Sequence, residues 1–287
     1  MESKGQERVG DFIGRSDPDG NRQGMTDLIA IVLTKNEAAH IGPCLDSLRW
    51  ADRIVVFDSF SADDTVALAT QAGAEIFQRA FDNYAAQRNA ALKAVTAPGG
   101  QEQWVFFVDA DERGTPELAQ EIRHVIEERP ENGWNVPRHN YIFGHLTTGA
   151  GWFPDYQFRL MRLGHARFVR PVHELGEVDG AIGHLQNPLI HHNYRDPAHF
   201  HAKQRFYVEH DAGILKDQGI RPKPRNYVLQ PLRHFWWRFV RLKGYRDGLH
   251  GLRLSLYMSY YEWRKYRRLA ELWRGDEPRP RRPNDAG

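Results

Sequence analysis

Apolar and polar positions change their rhythm twice along this chain. In the first part, unbroken apolar runs alternate with stretches of helical spacing. Leu28 to Leu33 contains no polar residue, the pattern of a strand covered on both faces in a parallel sheet. Ile41, Leu45 and Leu48 then recur at helical intervals. Further strands are predicted over 53–57, 74–77 and 104–108, and further helices over 61–72, 83–95 and 115–128. Ser61 is placed to cap one of these helices, and Thr115 followed by Pro116 to start another. Strands alternating with helices at this spacing predict an α/β fold, a Rossmann-like and mostly parallel sheet flanked by helices.

Past residue 130 the rhythm loosens. Residues 133–137 and 157–162 read as strands, 189–194 closes the region, and the stretches between read as loops rich in polar and aromatic residues. From Pro197 the spacing is helical again, over 199–219, 233–241 and 249–273, the last with Leu252, Leu256, Tyr260, Trp263 and Tyr266 on one face. A C-terminal helical extension is therefore expected. Residues 1–25 read as a disordered leader, with Met25 as an alternative start, and residues 275–287 as a disordered tail.

The candidate chemistry collects where the strands stop. The first ends in Thr34, Lys35, Asn36 and Glu37, the second in Asp58, and the fourth in Asp109, Ala110 and Asp111. In a parallel sheet these ends share one edge, the usual place for a ligand crevice. Side chains at i and i+2 of an extended chain point the same way, so Asp109 and Asp111 can converge. Two such oxygens suit Mg2+ or Mn2+, and a metal of that kind suits a diphosphate. The plainer reading is that both acids only end the strand and lead into the helix at Thr115. No G-x-G-x-x-G follows the first strand and no G-x-x-x-x-G-K-[ST] occurs, which disfavours a Rossmann cofactor or P-loop nucleotide.

Charge adds one asymmetry. The chain carries 39 Lys/Arg against 37 Asp/Glu, yet residues 221–274 hold 14 Lys/Arg, 3 Asp/Glu and 12 aromatic residues. Rings interleaved with cations predict an amphipathic helix lying on an anionic membrane surface. The competing reading packs the rings against the rest of the protein. Nucleic acid is disfavoured, because no nucleic-acid module accompanies the charge. The single Cys44 excludes an internal disulfide and fits a reducing cytoplasm. No apolar run reaches the length of a membrane span.

Taken together, Thr34-Lys-Asn-Glu37, Asp58-Ser-x-Ser-x-Asp63, Gln87-Arg88-Asn89 and Asp109-Ala-Asp111 resemble the successive motifs of the inverting glycosyltransferases of family 2, which have the GT-A fold. Trp152-x-Pro-Asp-x-Gln-x-Arg-Leu160, Val172-His-Glu174, His191-x-x-Tyr194 and Gly244-Tyr-x-Asp-Gly-x-x-Gly251 resemble the branch containing lipopolysaccharide core β-1,4-glucosyltransferases. The resemblance implies a catalytic domain over 26–196 and a helical segment over 197–274. It implies a UDP-sugar donor, glucose by default, and a glycan or lipid-linked acceptor. It further implies work at the inner face of the cytoplasmic membrane. Asp58, with Thr34 and Glu37 nearby, would meet the nucleotide base, Arg88 the ribose or phosphates, and Asp109 the ribose. Asp111 would hold the divalent metal, and His191 would complete its shell or touch the diphosphate. Glu174 is the expected general base and Asp155 the alternative; Glu174 paired with Arg159 or Arg170 is the structural reading. Ser59-Phe60 departs from the commoner acid-glycine pair of the family. A nucleotidyltransferase and a non-catalytic glycan- or lipid-binding scaffold are the competing classes.

Overall fold

In the computed structural model, which describes residues 26–96, 102–169 and 175–276, the apolar runs form the middle of a seven-stranded sheet. β1 (Asp27–Thr34), β2 (Arg53–Asp58), β3 (Glu75–Gln78) and β4 (Gln103–Asp109) are mutually parallel, with β1 between β2 and β4. Helices α1 (Ala38–Asp46), α2 (Thr65–Gln71) and α3 (Tyr84–Val95) connect them. The period of two explains the unbroken runs. Leu28, Ala30 and Val32 of β1, with Trp104, Phe106 and Val108 of β4, fill the core on one face. Ile29 and Ile31, with Val105 and Phe107, fill the core on the other, against α3. Phe106 is fully enclosed, so its truncation to alanine is expected to cost ~3–5 kcal/mol.

The loose middle of the chain completes this sheet and builds a second. It contains β5 (Glu112–Arg113), α4 (Pro116–Glu128), β6 (Gly133–Val136), β7 (Arg138–Ile142), β8 (His145–Thr147), β9 (Gln157–Arg162), β10 (Ala166–Val169), β11 (Leu175–Val178), β12 (Ile182–His184) and β13 (Leu189–Tyr194). The large sheet runs β12-β6-β9-β4-β1-β2-β3, with β9 antiparallel to both neighbours. A smaller sheet runs β5-β13-β7-β8, and β10 pairs with β11. Residues 141–146, read as a loop, turn out to join two strands. Phe143 and Gly144 both take positive φ, 54° and 77°, the hairpin geometry usually marked by Asn-Gly. A phenylalanine there hid the turn.

The C-terminal part is α5 (Pro197–Asp217), α6 (Asn226–Trp236), a π-helical turn (Trp237–Arg241), a 3-10 turn (Gly244–Asp247) and α7 (Gly248–Asp276). α6 begins seven residues before the expected start at Arg233. Pro231 lies inside it, and an internal proline reads in sequence as a helix boundary. α7 runs one residue past Gly275, where the tail was expected to begin. Phe200 and Val208 of α5 and Leu254 and Tyr261 of α7 share a core with Ile142 and Tyr194, so these helices pack on the second sheet. The mostly parallel, helix-flanked sheet with a C-terminal helical extension is the GT-A architecture implied by the motifs.

Candidate active site

The parallel register sets the strand ends side by side. Thr34 lies opposite Asp58, and Leu33 opposite Asp109. Asp58 is fully buried, and its carboxylate accepts from Thr34 Oγ1 at 2.9 Å, Ser61 N at 2.8 Å, Gln78 Nε2 at 3.1 Å and Ser61 Oγ. Burial works against ionisation there, but these donors hold the carboxyl below its usual range. The structure places Asp58 beneath the cleft wall, where it laces the loops after β1 and β2 together. Asn36, at φ 56°, adds to the lacing: its N–H donates to Ser61 Oγ at 2.8 Å, and its Oδ1 accepts from Ala62 N at 2.7 Å. Ser61 is therefore spent in this loop and does not cap α2, which starts at Thr65 after Asp64 without a side-chain cap.

At the end of β4 the acids meet a group of arginines. Arg159 of β9 is 3% exposed. Its Nη1 donates to Asp109 Oδ1 at 3.1 Å, and its Nη2 to Asp109 Oδ2 and to Glu112 Oε1 at 2.8 Å. Arg88 of α3 adds its charge, with Nη2 at 3.7 Å from Asp109 Oδ1 and its guanidinium over the Phe107 ring at 4.9 Å. Burial alone would raise the Asp109 pKa, but Arg159 and Arg88 hold it well below the usual carboxylate range. Arg138 of β7 bridges Glu112 Oε1 at 3.1 Å and Asp155 Oδ2 at 2.6 Å. Asp155 also accepts from Asn140 Nδ2 at 3.0 Å and Gln157 Nε2 at 2.8 Å. Against the pull of burial, these partners keep it ionised.

Asp111 faces His191 of β13, with Oδ2 at 3.4 Å from Nε2. The imidazole is oriented from behind. Asn140 Nδ2 donates to Trp152 O at 2.9 Å and to Asp155, so its Oδ1 must accept, from Asn193 Nδ2 at 3.0 Å and from His191 Nδ1 at 2.8 Å. With the Nδ1 proton committed to Asn140, Nε2 is the atom turned toward Asp111: protonated it donates to the carboxylate, and without that proton it presents a lone pair to the same point. A carboxylate and an imidazole lone pair converging on one point fit a divalent cation. Burial works against ionisation of Asp111, but the hydrogen bond and charge of a protonated His191 outweigh it and hold the carboxyl below its usual range. Among the described residues no group of three His, Cys, Asp or Glu side chains converges on a metal position. The described residues thus offer two ligands, a set that a divalent cation would complete with further oxygens.

Asp109, Asp111, Asp155, Arg88, Arg138 and His191 line one cleft of about 1210 Å³. Its lining also includes Lys35, Phe60, Phe81 and Tyr84, together with Trp152, Asn193, Tyr194, Lys203 and Tyr207. Of the residues singled out in the sequence, Thr34, Glu37, Arg88, Asp109, Asp111, Asp155 and His191 all line it; Asp58 does not. Glu174 lies outside the described residues. Glu37 titrates above its usual range, first through burial and next through the charge of Asp111. The structure adds Lys203 and Tyr207, which α5 presents at i, i+4 beside its buried Phe200, Gln204 and Val208. That spacing is the signal by which they could have been found. It also adds Arg138, whose role no local pattern announces.

The glycine motif near the C-terminus has a structural meaning. Asp247 accepts from Thr148 N at 3.1 Å, Thr148 Oγ1 at 3.0 Å and Gly149 N at 2.7 Å. A Cβ on Gly149 would lie 2.4 Å from Lys243 O, and one on Gly251 1.9 Å from Gly244 O. Arg238 Nη1 donates to Ala150 O at 2.7 Å, and Ala150 N to Leu242 O at 2.8 Å. The C-terminal helices thus grip the loop that carries Trp152 into the cleft.

The model for glycosyl transferase family 2 matches residues 29–167. The lipopolysaccharide core biosynthesis glycosyltransferase LpsC of Rhizobium meliloti (strain 1021) is 29% identical over 233 residues, 78% of this chain and 84% of that protein. A glycosyltransferase of Rickettsia conorii (strain ATCC VR-613 / Malish 7), RC0292, is 31% identical over 224 residues, 73% of this chain and 77% of its own length. Among solved structures, glucosyl-3-phosphoglycerate synthase from Mycobacterium tuberculosis, in complex with Mn2+, UDP and glucosyl-3-phosphoglycerate, aligns with a TM-score of 0.35 and 20% identity. That alignment covers 40% of this chain and less than half, 44%, of the solved one. With a glycosyltransferase relative above 30% identity over most of its length, and with Thr34, Glu37, Arg88, Asp109, Asp111 and His191 gathered in one cleft, this chain belongs to glycosyltransferase family 2.

Proposed function

We propose that the protein transfers a hexose, glucose by default, from UDP to a hydroxyl of a lipid-linked glycan, inverting the anomeric centre, in lipopolysaccharide or related envelope synthesis. The pairing of Asp111 with an oriented His191 at the carboxyl edge of the sheet carries this reading. A divalent metal held there would supply Lewis-acid stabilisation to the departing diphosphate. Arg88, with Asp109 beside it, would lie along the ribose and phosphates. Thr34 and Glu37 stand at the base-binding end, and Asp58 shapes the loops that receive the base. The acceptor would enter between Trp152, Asn193 and Tyr207, in line with the scissile bond.

A general base needs a pKa that allows it to take a proton at working pH. Asp155 is held ionised by Arg138, Asn140 and Gln157, which suits it to positioning. Glu174 is therefore assigned as the base. The relationship to a lipopolysaccharide core enzyme supports the acceptor class and a place at the inner face of the cytoplasmic membrane. Among the described residues no helix is long and apolar enough to cross a membrane, so association there would be peripheral.

The test is thermal stabilisation by nucleoside diphosphates with and without Mn2+, on the wild type, Asp111→Asn and Glu174→Gln. Metal-dependent stabilisation by UDP is expected in the wild type and in Glu174→Gln, and is lost in Asp111→Asn. Transfer to acceptor should fail in both variants. Stabilisation by no nucleotide would leave the scaffold reading in place.

A further inference from the structure

α6 and its π-helical continuation present an unusual face. No residue of either element is buried. The positions turned to solvent are 225, 228, 229, 232, 233, 236, 237, 240 and 241, a continuous stripe at three- and four-residue spacing. On an ordinary surface helix that stripe is polar. Here it reads Arg225, Val228, Leu229, Leu232, Arg233, Trp236, Trp237, Val240, Arg241. Val228, Leu232 and Trp236 are 59%, 61% and 55% exposed. From Arg221 to Arg246 the chain holds eight Lys/Arg and no Asp or Glu.

We infer that this stripe is a docking surface for an anionic lipid bilayer. Apolar side chains at its centre would enter the acyl boundary, the two indoles would sit at headgroup depth, and Arg225, Arg233 and Arg241 would meet the anionic heads. Charge decides the occupant. A second copy would bring the same cations and no acid within the stripe to answer them, whereas an anionic surface is complementary throughout. α7 is not part of this surface in the same sense, because Leu254, Tyr261 and Leu269 are buried. The opposite side of the same element reaches the loop at Ala150. Arg238 donates to Ala150 O, and Leu242 O accepts from Ala150 N, in the loop that leads to Trp152. Docking through the stripe would therefore place the lipid surface one helix away from the loop that carries Trp152. The choice of partner rests on the proposed lipid-linked acceptor, while the binding itself needs no catalysis.

The experiment is co-sedimentation of the full chain with vesicles of pure phosphatidylcholine, and with vesicles containing equal parts of phosphatidylglycerol. Binding to the mixed vesicles alone is expected. Leu232→Glu with Trp236→Glu should abolish it, and Arg225→Gln, Arg233→Gln and Arg241→Gln together should weaken it about a hundredfold. UDP stabilisation should stay at the wild-type level in both variants, since none of these side chains lines the cleft. Loss of UDP binding in the wild type with vesicle binding intact would sink the catalytic reading and leave this surface standing. Wild-type protein that ignores both vesicles, or binds them equally well after the Leu232/Trp236 exchange, would overturn the proposal. So would a dimer by sedimentation velocity that the exchange dissociates, with no lipid binding, because that outcome assigns the face to a second copy.

Discussion

Arg159→Met removes the cation on which the acidic floor of the cleft is built. Breaking a buried ion pair from one side costs ~3–5 kcal/mol, because the remaining charge keeps its desolvation penalty. In this cluster neither carboxylate is left without a cation. Arg138 Nη1 stays 3.1 Å from Glu112 Oε1, and Arg88 Nη2 stays 3.7 Å from Asp109 Oδ1. The cost therefore belongs at the lower end, about 3 kcal/mol. For a chain of this size each kcal/mol moves Tm by roughly 2–4 °C, so the variant should melt about 6–12 °C lower at pH 7. Acid supplies a second readout. Burial alone would raise the Asp109 pKa, but Arg159 first and Arg88 next depress it well below the unfolded value. A depressed folded pKa gives stability that is present above the unfolded pKa of about 3.9 and is lost as pH falls toward the folded one. Without Arg159 the depression shrinks and less stability remains to be lost. The gap in Tm between wild type and variant should narrow between pH 7 and pH 3, followed by circular dichroism melts. A variant within about 2 °C of wild type at pH 7, or a gap that widens on acidification, would refute the reasoning.

Three further outcomes follow from the same geometry. Asn140→Leu frees Nδ1 of His191 and should weaken the Mn2+-dependent part of UDP stabilisation by about 10–100-fold, leaving the metal-independent part unchanged; an unmoved Mn2+ midpoint contradicts the orienting role. Gly251→Ala would raise helix propensity by ~1 kcal/mol at an ordinary site, but its Cβ would lie 1.9 Å from the Gly244 carbonyl oxygen. A net loss of ~1–3 kcal/mol in urea is expected, and stabilisation would show that the two backbones are not in contact. Asp58→Asn replaces an acceptor of four hydrogen bonds by an amide and should cost about 2 kcal/mol, with UDP binding falling alongside; full stability with lost UDP binding would mean that Asp58 touches the ligand directly.

The parallel core was legible because burial on both faces leaves an unbroken apolar run, and β1 and β4 have such runs. The strand-end acids were legible because a fully buried strand has few reasons to stop on a carboxylate. Less visible was the division of labour among them. Asp58 and Asp111 look alike in sequence, yet one is enclosed by four donors and the other faces an imidazole in the cleft. That difference depends on β3 and β13, which supply Gln78 and His191 from distant parts of the chain. Arg159 was read only as a partner for Glu174. Among the described residues its partners are Asp109 and Glu112, fixed by the antiparallel pairing of β9 with β4, a neighbour relation that no local periodicity encodes. The second sheet escaped for a similar reason: its strands are short, and its hairpin turns on Phe143.

Of the two readings that its composition left open, packing is seen in one helix of the C-terminal segment, while another turns an apolar face to solvent. The helices were expected either to lie on a membrane or to pack on the domain. α7 packs, burying Leu254 and Tyr261 with the second sheet. α6 keeps its apolar stripe outside. Between them the 3-10 turn brings Asp247 to Thr148 and Gly149, and the π-helical turn brings Arg238 to Ala150. From Ala150 the chain runs directly to Trp152, whose carbonyl fixes Asn140, which in turn fixes His191 opposite Asp111. A division between a catalytic domain ending near residue 196 and a separate helical appendage therefore cuts through the hydrogen bonds that orient the cleft. The glycines at 149, 244 and 251 are the physical condition for this union, since only backbones without Cβ approach so closely.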